Sequence, residues 1–218
     1  MKKTPLAILS LLLGIIIGAG SLLLFFRTAN RQVVDTAIGT PAPETSLSPN
    51  AVTSCGLIGL AADAAEYIKT GDYNSLANIV HPTFGVVFSP SATVNLRANR
   101  CFLPSEVAKL GSNTASYVWG TPDGSNVPIE LTVREYFKSY VYDYDYLNAQ
   151  LVGVNAPVKT GNSLENVSET FPNAQFVDLC YPGTEENEYH DWSILRLVFE
   201  EYDGIFYLTA VIHSEYTI

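Results

Sequence analysis

The feature that most constrains this chain is an uncharged, strongly apolar run near its N-terminus. The run covers 22 residues, from Pro5 to Phe26, and basic residues flank it on both sides. A helix of that length spans about 33 Å, which is enough to cross a bilayer core of about 30 Å. A cleavable signal peptide has a shorter apolar core and a small-residue cleavage site, and the residues after this run offer no good site. We therefore predict that residues 1–27 form an uncleaved signal anchor, with residues 5–26 crossing the membrane as a helix.

The distribution of charge predicts on which side of the membrane the rest of the chain lies. The basic residues flanking the run slightly favour a cytoplasmic N-terminus. From Thr53 onward the chain has 20 acidic and 8 basic residues, a formal charge of −12. Such a surface repels the phosphates of nucleic acids and the anionic face of a membrane. We predict a single-pass protein of the cell membrane whose C-terminal domain is extracytoplasmic and has no nucleic-acid partner.

A tether and one domain follow the anchor. Residues 28–54 contain Pro41, Pro43 and Pro49 among Ser, Thr and Ala, with no apolar periodicity that could bury a face. Such a composition is typical of a semi-extended linker. The remaining residues, 55–218, are enough for one domain with its own core.

The three cysteines leave two interpretations open. Cys55, Cys101 and Cys180 contain no Cys-x-x-Cys pair, so neither a structural zinc site nor a thioredoxin-like motif is predicted. Outside the cytoplasm two of them could form a disulfide, or all three could be small buried apolar residues. The chain also lacks a nucleotide-binding loop, a Gly-x-Ser-x-Gly elbow and a His-Glu-x-x-His site. We predict no metal and no cofactor.

Local patterns predict helices first and most strands last. Apolar residues at steps of three and four predict a helix over Leu57–Thr70, with a stop at Gly71 and a new helix capped by Asp72. Thr132-x-x-Glu135 is a capping box that opens another helix. This order predicts an α+β domain in which helices pack on a curved antiparallel sheet.

The C-terminal third carries the clearest strand signals. Gln175–Tyr181 is a strand candidate, and two β-rich runs, Ser193–Tyr202 and Ile205–Tyr216, meet at Asp203-Gly204. Asp-Gly between such runs is a strong hairpin signal, because both turn positions require a positive φ.

Two segments resemble the NTF2-like (cystatin-like) superfamily. AAEYIKTGDYNSLANIVHPTFGVVFSP, Ala64 to Pro90, is similar to the family's helix, Gly-Asp break, short helix and His-Pro pair that leads into a strand. LRLVFEEYDGIFYLTAVIHSEYTI, Leu195 to Ile218, resembles its final long hairpin. The chain is also similar to anchored or secreted proteins of Gram-positive bacteria that carry such a domain behind a Pro/Ser-rich linker. The resemblance implies a cone of helices against a curved sheet, and implies little about activity, because the superfamily includes enzymes and passive binding modules.

The resemblance also implies where catalysis could occur, namely in a pocket between the sheet and the helices. Asp178 and Arg196 interrupt apolar strands, and His213 lies on the last strand. Strict alternation places Ile205, Tyr207, Thr209 and Val211 on the same face as His213. Asp178 near His213 or Arg196 could be a catalytic pair or a structural ion pair, so these three are the candidate catalytic residues.

Tyrosines supply candidate ligand-binding residues. The run YVYDYDY contains Tyr142 and Tyr144, and Tyr67 and Tyr207 lie on the predicted first helix and last strand. Their rigid amphipathic rings could line a sugar- or peptide-binding surface, or could simply pack on one side.

The expected function is therefore a membrane-anchored binding module for a small ligand, an envelope component or a protein partner, rather than an enzyme. Two alternatives remain open. One is a pocket enzyme with acid/base chemistry on Asp178 and His213, and the other is a scaffold domain that forms a homodimer. An enclosed polar pocket would favour the enzyme, and a filled apolar cone or a flat aromatic surface would favour binding.

Overall fold

The computed structural model describes residues 54–122, 124–125 and 127–217. The predicted anchor over residues 1–27 and most of the linker lie outside the described residues. No helix in the described part of the chain has both the length and the apolar character needed to cross a bilayer.

The described residues form a mixed α+β fold with a curved sheet. The helices are α1 Ser54–Thr70, α2 Tyr73–Ile79, α3 Pro104–Val107, α4 Val133–Tyr140 and α5 Val167–Thr170. The strands are β1 Val86–Ser89, β2 Arg100–Phe102, β3 Ser116–Val118, β4 Glu130–Thr132, β5 Leu151–Val154, β6 Gln175–Tyr181, β7 Ser193–Tyr202 and β8 Ile205–Glu215. Short 3₁₀ turns cover Leu110–Ser112 and Tyr146–Asn148.

The local signals for the helices are confirmed. Gly71 directly follows the last residue of α1, as predicted. Its φ is 70°, a conformation that glycine adopts without strain. The Asp72 carboxylate accepts a hydrogen bond from the Ser75 amide at 3.0 Å and caps α2. At α4 the predicted capping box is present, since Thr132 accepts from the Glu135 amide and Glu135 bonds back to the Thr132 amide.

Within the described residues, six strands form the main sheet, in the order β2-β1-β8-β7-β6-β5, and β3 and β4 form a separate pair. The β7–β8 hairpin turns at Asp203-Gly204 as predicted, with φ values of 51° and 80°. The expectation of a purely antiparallel sheet is wrong, because β1 pairs with β8 in parallel. A parallel pair needs a long crossover between its strands, and the whole chain between β1 and β8 supplies one.

The two faces of the sheet pack against different parts of the chain. The helix face, which carries Val177, Leu179, Leu195, Leu197 and Val211, joins the main core cluster with residues of α1 and α4. The loop face is the opposite side, and its apolar residues Phe176, Val198 and Ile212 pack with Val94, Val167 and Phe171. The apolar stripe predicted for α1 is buried in the main cluster and consists of Leu57, Ala61, Ala64, Ala65 and Ile68.

Candidate functional site

Asp178 and Arg196 form a buried ion pair on the loop face. They are opposite each other on β6 and β7. Arg196 Nε donates to Asp178 Oδ1 at 2.6 Å, and Nη2 donates to Asp178 Oδ2 at 2.9 Å. Asp178 is 0% exposed and Arg196 2% exposed. Burial raises the pKa of Asp178 to about 7 and lowers that of Arg196 to about 10, and the two-bond contact works against both shifts.

Two further groups complete this pair and connect it to the loop before α5. Glu165 forms an ion pair with Arg196 Nη1, and the Val158 amide donates to Asp178 Oδ2 at 3.1 Å. The Arg196 guanidinium also lies over the Phe176 ring at 4.4 Å. These contacts fasten residues 155–168 to the loop face of the sheet. The role of the ion pair is therefore structural.

His213 lies in a different buried polar cluster, on the helix face. Its Nε2 is 3.1 Å from Ser193 Oγ and 3.3 Å from Asp143 Oδ2. The Tyr146 hydroxyl donates to Asp143 Oδ1 at 2.8 Å and lies 2.7 Å from Ser193 Oγ. Burial acts to raise the pKa of Asp143, but the bonds from His213 and Tyr146 outweigh it and lower the pKa below its ordinary value.

This cluster has the residue types of a nucleophile relay but not its geometry. In such a relay the two imidazole nitrogens contact different groups. One nitrogen accepts the proton of the serine hydroxyl, and the other nitrogen donates to the carboxylate. Here one nitrogen, Nε2, faces both Ser193 and Asp143, and His213 Nδ1 has no partner among the described residues. Ser193 is 1% exposed, so a substrate cannot reach its hydroxyl. The cluster instead ties residues 141–148 to the end of the sheet.

The proposed use of Asp178 together with His213 is therefore wrong. His213 is opposite Leu195 on the helix face, whereas Asp178 is opposite Arg196 on the loop face. Side chains on opposite faces of one sheet cannot act on the same substrate atom.

The predicted face-mates of His213 are also partly wrong, because β8 contains a bulge. Val198 pairs with Ala210 and Phe199 with Leu208, which leaves Thr209 between them without an opposite residue. An extra residue reverses the alternation beyond it. Tyr207, opposite Glu200, consequently lies on the loop face and not beside His213.

The candidate ligand-binding tyrosines do not form one surface. The Tyr207 ring lies 6.2 Å from that of His81. Tyr142 donates to Asp145 Oδ1 at 2.9 Å, and Tyr144 stacks on Tyr181 at 4.2 Å. Tyr67 packs, partly buried, against the main core cluster. The structure thus brings Tyr142 and Tyr144 together on one segment and places the other two elsewhere.

The space between the helix face and the helices is filled by aromatic side chains. Trp119 and Tyr136 stack at 3.8 Å with an angle of 4° between their rings, and both are 0% exposed. Phe88 meets Phe102 and Trp119 edge to face at 6.1 and 6.0 Å. These side chains fill the space in which an enclosed polar pocket would have to lie.

A groove lies at the outer side of the helices. It has a volume of about 670 Å³ and runs between the end of α1, the start of α2, the turn Leu110–Ser112 and the start of α4. We call it the α1–α4 groove. Its walls include the rings of Tyr73 and Phe137, which meet edge to face at 5.8 Å, and the cations Lys69 and Arg134. Sequence reasoning missed this groove, because its lining residues come from three separate segments.

The cysteines and acidic groups show no ligand site in the described part of the chain. Cys55 and Cys101 are exposed and Cys180 is buried, and all three are free. The described residues contain no group of three or more His, Cys, Asp or Glu side chains placed to hold a metal ion. In the acidic loop before β7, Asp191 accepts bonds from the Thr184 amide and hydroxyl at 2.7 and 2.9 Å and so holds the loop closed.

Comparison with known proteins adds no assignment. No protein-family model, curated protein or solved structure matches the chain.

Proposed function

We propose that this protein is a membrane-anchored, extracytoplasmic binding module with an NTF2-like domain, and that it is not an enzyme. The order of elements supports the NTF2-like domain. Helix α1, the Gly71-Asp72 break, helix α2 and the His81-Pro82 pair lead into β1, and the final hairpin lies in the middle of the sheet.

The observation that carries the proposal is the filled cone. An enzyme of the kind considered above needs a chamber between the sheet and the helices in which polar groups converge on a substrate. Here the stacked rings of Trp119 and Tyr136 occupy that space. Four buried polar side chains of the sheet, Asp178, Arg196, Ser193 and His213, are used in two clusters that join distant segments of the chain. A protein with this interior presents its outer surface to a partner.

Thiol labelling of intact cells tests the location. Cys55 and Cys101 are exposed, so a membrane-impermeant maleimide should label both in cells that produce the full chain. Because burial raises the pKa of Cys101, less of it is thiolate, and it should react more slowly than Cys55. A Cys55→Ser/Cys101→Ser variant is the control, because the remaining Cys180 is buried. Labelling that appears only after lysis would refute the extracytoplasmic location.

Site-specific photocrosslinking tests the binding role. A photoreactive amino acid at Ser112, in the α1–α4 groove, should give crosslinked products in intact cells. The matched control is the same amino acid at Glu201, an exposed position on the β7–β8 hairpin. Equal products from both positions, or none from Ser112, would count against the groove as the binding surface.

The scaffold function has one observation in its favour. Strand β5 is an edge of the sheet, and its residues Leu151 and Val152 are each 45% exposed. Exposed apolar residues on an edge strand favour pairing with another strand. Light scattering on the full chain in detergent should then show a dimer that Val152→Lys dissociates, and a monomer in the parent would rule this function out.

A further inference from the structure

We propose that the α1–α4 groove binds a small ligand through a carboxylate group, with Arg134 as the counter-ion. This inference rests on the proposed binding function, because it names the class of ligand that the module takes.

The charge of the groove is the opposite of the charge of the domain. Acidic residues outnumber basic ones 20 to 8 from Thr53 onward. The described residues that line the groove nevertheless include two cations, Lys69 and Arg134, and no Asp or Glu. An anionic ligand is repelled by most of this surface and attracted to the groove, so the charge distribution selects the site as well as the ligand.

The carboxylates nearest to the groove in sequence are committed to helix caps. Asp72 Oδ1 accepts the Ser75 amide at 3.0 Å. Glu135 Oε2 accepts the Thr132 amide at 2.9 Å and the Thr132 hydroxyl at 2.7 Å. These bonds lower the pKa of both carboxyl groups and hold them at the helix starts. Neither carboxylate lines the groove beside Arg134.

Of the two cations, Arg134 is the one available to a ligand. Lys69 Nζ already pairs with Asp145 Oδ1 at 2.8 Å. Arg134 is exposed and has no carboxylate partner in the part of the chain that the structure describes. Its planar guanidinium can give a carboxylate two parallel hydrogen bonds.

Tyr73 adds a second donor, because Tyr73 and Arg134 both line the groove. Burial raises the pKa of Tyr73, although the charge of Arg134 acts in the opposite direction. A phenol with a raised pKa stays protonated and can donate to an anion.

The remaining walls give room for an organic ligand body of mixed polarity rather than for a bare ion. The volume of about 670 Å³ falls within the range of roughly 300–1,000 Å³ that small-molecule sites occupy. The half-buried Tyr73 ring supplies apolar surface, Phe137 and Leu110 add little because they are 6% and 2% exposed, and Thr70, Ser112 and Thr132 supply hydroxyl groups. Gly111 lets the Tyr73 ring approach the backbone, since a Cβ there would lie 3.1 Å from Tyr73 Cδ2. Arg134, the lining cation without a carboxylate partner among the described residues, together with the Tyr73 ring matches a monoanionic carboxylate with a flat body.

A photoaffinity pair tests this chemistry on the full-length chain in non-ionic detergent. The probe is 4-benzoylbenzoate, and its matched control is the uncharged 4-benzoylbenzamide. We expect the acid, and not the amide, to label peptides that contain residues 110–114 or 132–137, as mapped by mass spectrometry. Unlabelled benzoate should protect these peptides, and inorganic phosphate should not.

Variants of α4 assign the effect to one side chain. Replacing a hydrogen-bonded charge weakens binding by about tenfold or more, so Arg134→Gln should raise the half-saturating concentration of the probe by at least that factor. Arg134→Lys keeps the charge but loses the two-bond geometry and should fall between the parent and Arg134→Gln. Lys138→Gln, one turn further along α4 and outside the groove, should leave labelling unchanged.

The outcomes separate this inference from the function on which it rests. Equal labelling by acid and amide, labelling outside the groove, protection by phosphate as strong as by benzoate, or an unaffected Arg134→Gln variant would each overturn the carboxylate site. Those results would not bear on the location tested by thiol labelling of intact cells or on the binding surface tested by the Ser112 crosslinks. Conversely, specific labelling in detergent supports the site even if the intact-cell experiments refute the location.

Discussion

Removing Arg196 should make the stability of this domain depend on pH in a way that the parent protein does not show. In the parent, the two bonds from Arg196 keep the buried Asp178 carboxylate ionised. In an Arg196→Met variant, Asp178, which is 0% exposed in the parent, loses its counter-ion. The carboxyl group then takes up a proton rather than stay charged, since a buried charge without a partner is costly.

The size of the effect follows from burial. Burial, without the opposing effect of Arg196, raises the pKa of Asp178 to about 7, against an ordinary value of 3.8. The two pKa values differ by about three units. At roughly 1.4 kcal/mol per unit, this difference corresponds to about 4 kcal/mol in the free energy of unfolding. Because the folded variant binds the proton more tightly than the unfolded chain does, the variant loses stability as the pH rises from about 4 to about 7. Relative to the parent, its free energy of unfolding should fall by up to about 4 kcal/mol over this range.

Urea unfolding measures this difference. The fluorescence of the buried Trp119 and Trp192 reports the transition in a chain that begins at Ser54, the first described residue. The parent and the variant are compared at several pH values between 4.5 and 7.5. The control is Asp178→Asn/Arg196→Met, which has no carboxyl group to titrate at this position. A parent-to-variant difference that is the same at both ends of the range would refute the view that Asp178 lies in a dry, low-dielectric site.

Two further predictions concern backbone geometry and the His213 cluster. Gly85→Ala should lower the free energy of unfolding by about 3 kcal/mol, because φ is 76° there and a Cβ would overlap the Phe102 carbonyl oxygen. Gly204→Ala should lower it by only about 1 kcal/mol, because φ is 80° but the space around Gly204 is open. Equal losses in urea unfolding would contradict the overlap at Gly85. Asp143→Asn should destabilise the domain by about 1–3 kcal/mol at neutral pH. This difference from the parent should shrink as the pH falls below about 4, because the lowered pKa of Asp143 contributes stability that acid removes. A difference that persists unchanged at pH 2.5 would show that the negative charge of Asp143 is not the source of this stability.

The features that the sequence predicted correctly are those that a short segment determines. The stripe of α1, the Asp72 cap, the capping box of Thr132 and Glu135, and the turn at Asp203-Gly204 each depend on residues within a few positions of one another. Backbone conformation and hydrogen bonding at such sites are local, so the sequence contains the whole signal.

The sequence could not predict which distant residues meet. His213 and Asp143 are 70 positions apart, and Arg196 meets Glu165 across 31 positions. Asp143 lies inside the tyrosine-rich run YVYDYDY, and a carboxylate within so aromatic a segment is the available sequence signal of a buried partner. The bulge at Thr209 left no periodic signal, and without it the alternation placed Tyr207 on the wrong face.

The buried polar clusters and the α1–α4 groove differ in the one property that function requires, which is access. His213 and Asp178 are 1% and 0% exposed, and the ionisable partner of each is supplied by the protein itself. A titratable group whose partner is built in stabilises the fold and has no bond left for a ligand. Arg134 is the reverse case, an exposed cation at the edge of a groove that pairs with none of the carboxylates among the described residues. Substitutions in the two clusters should therefore lower the free energy of unfolding, whereas substitutions at Arg134 should weaken ligand binding. An Arg134 variant that lost as much stability as the cluster variants would contradict this distinction.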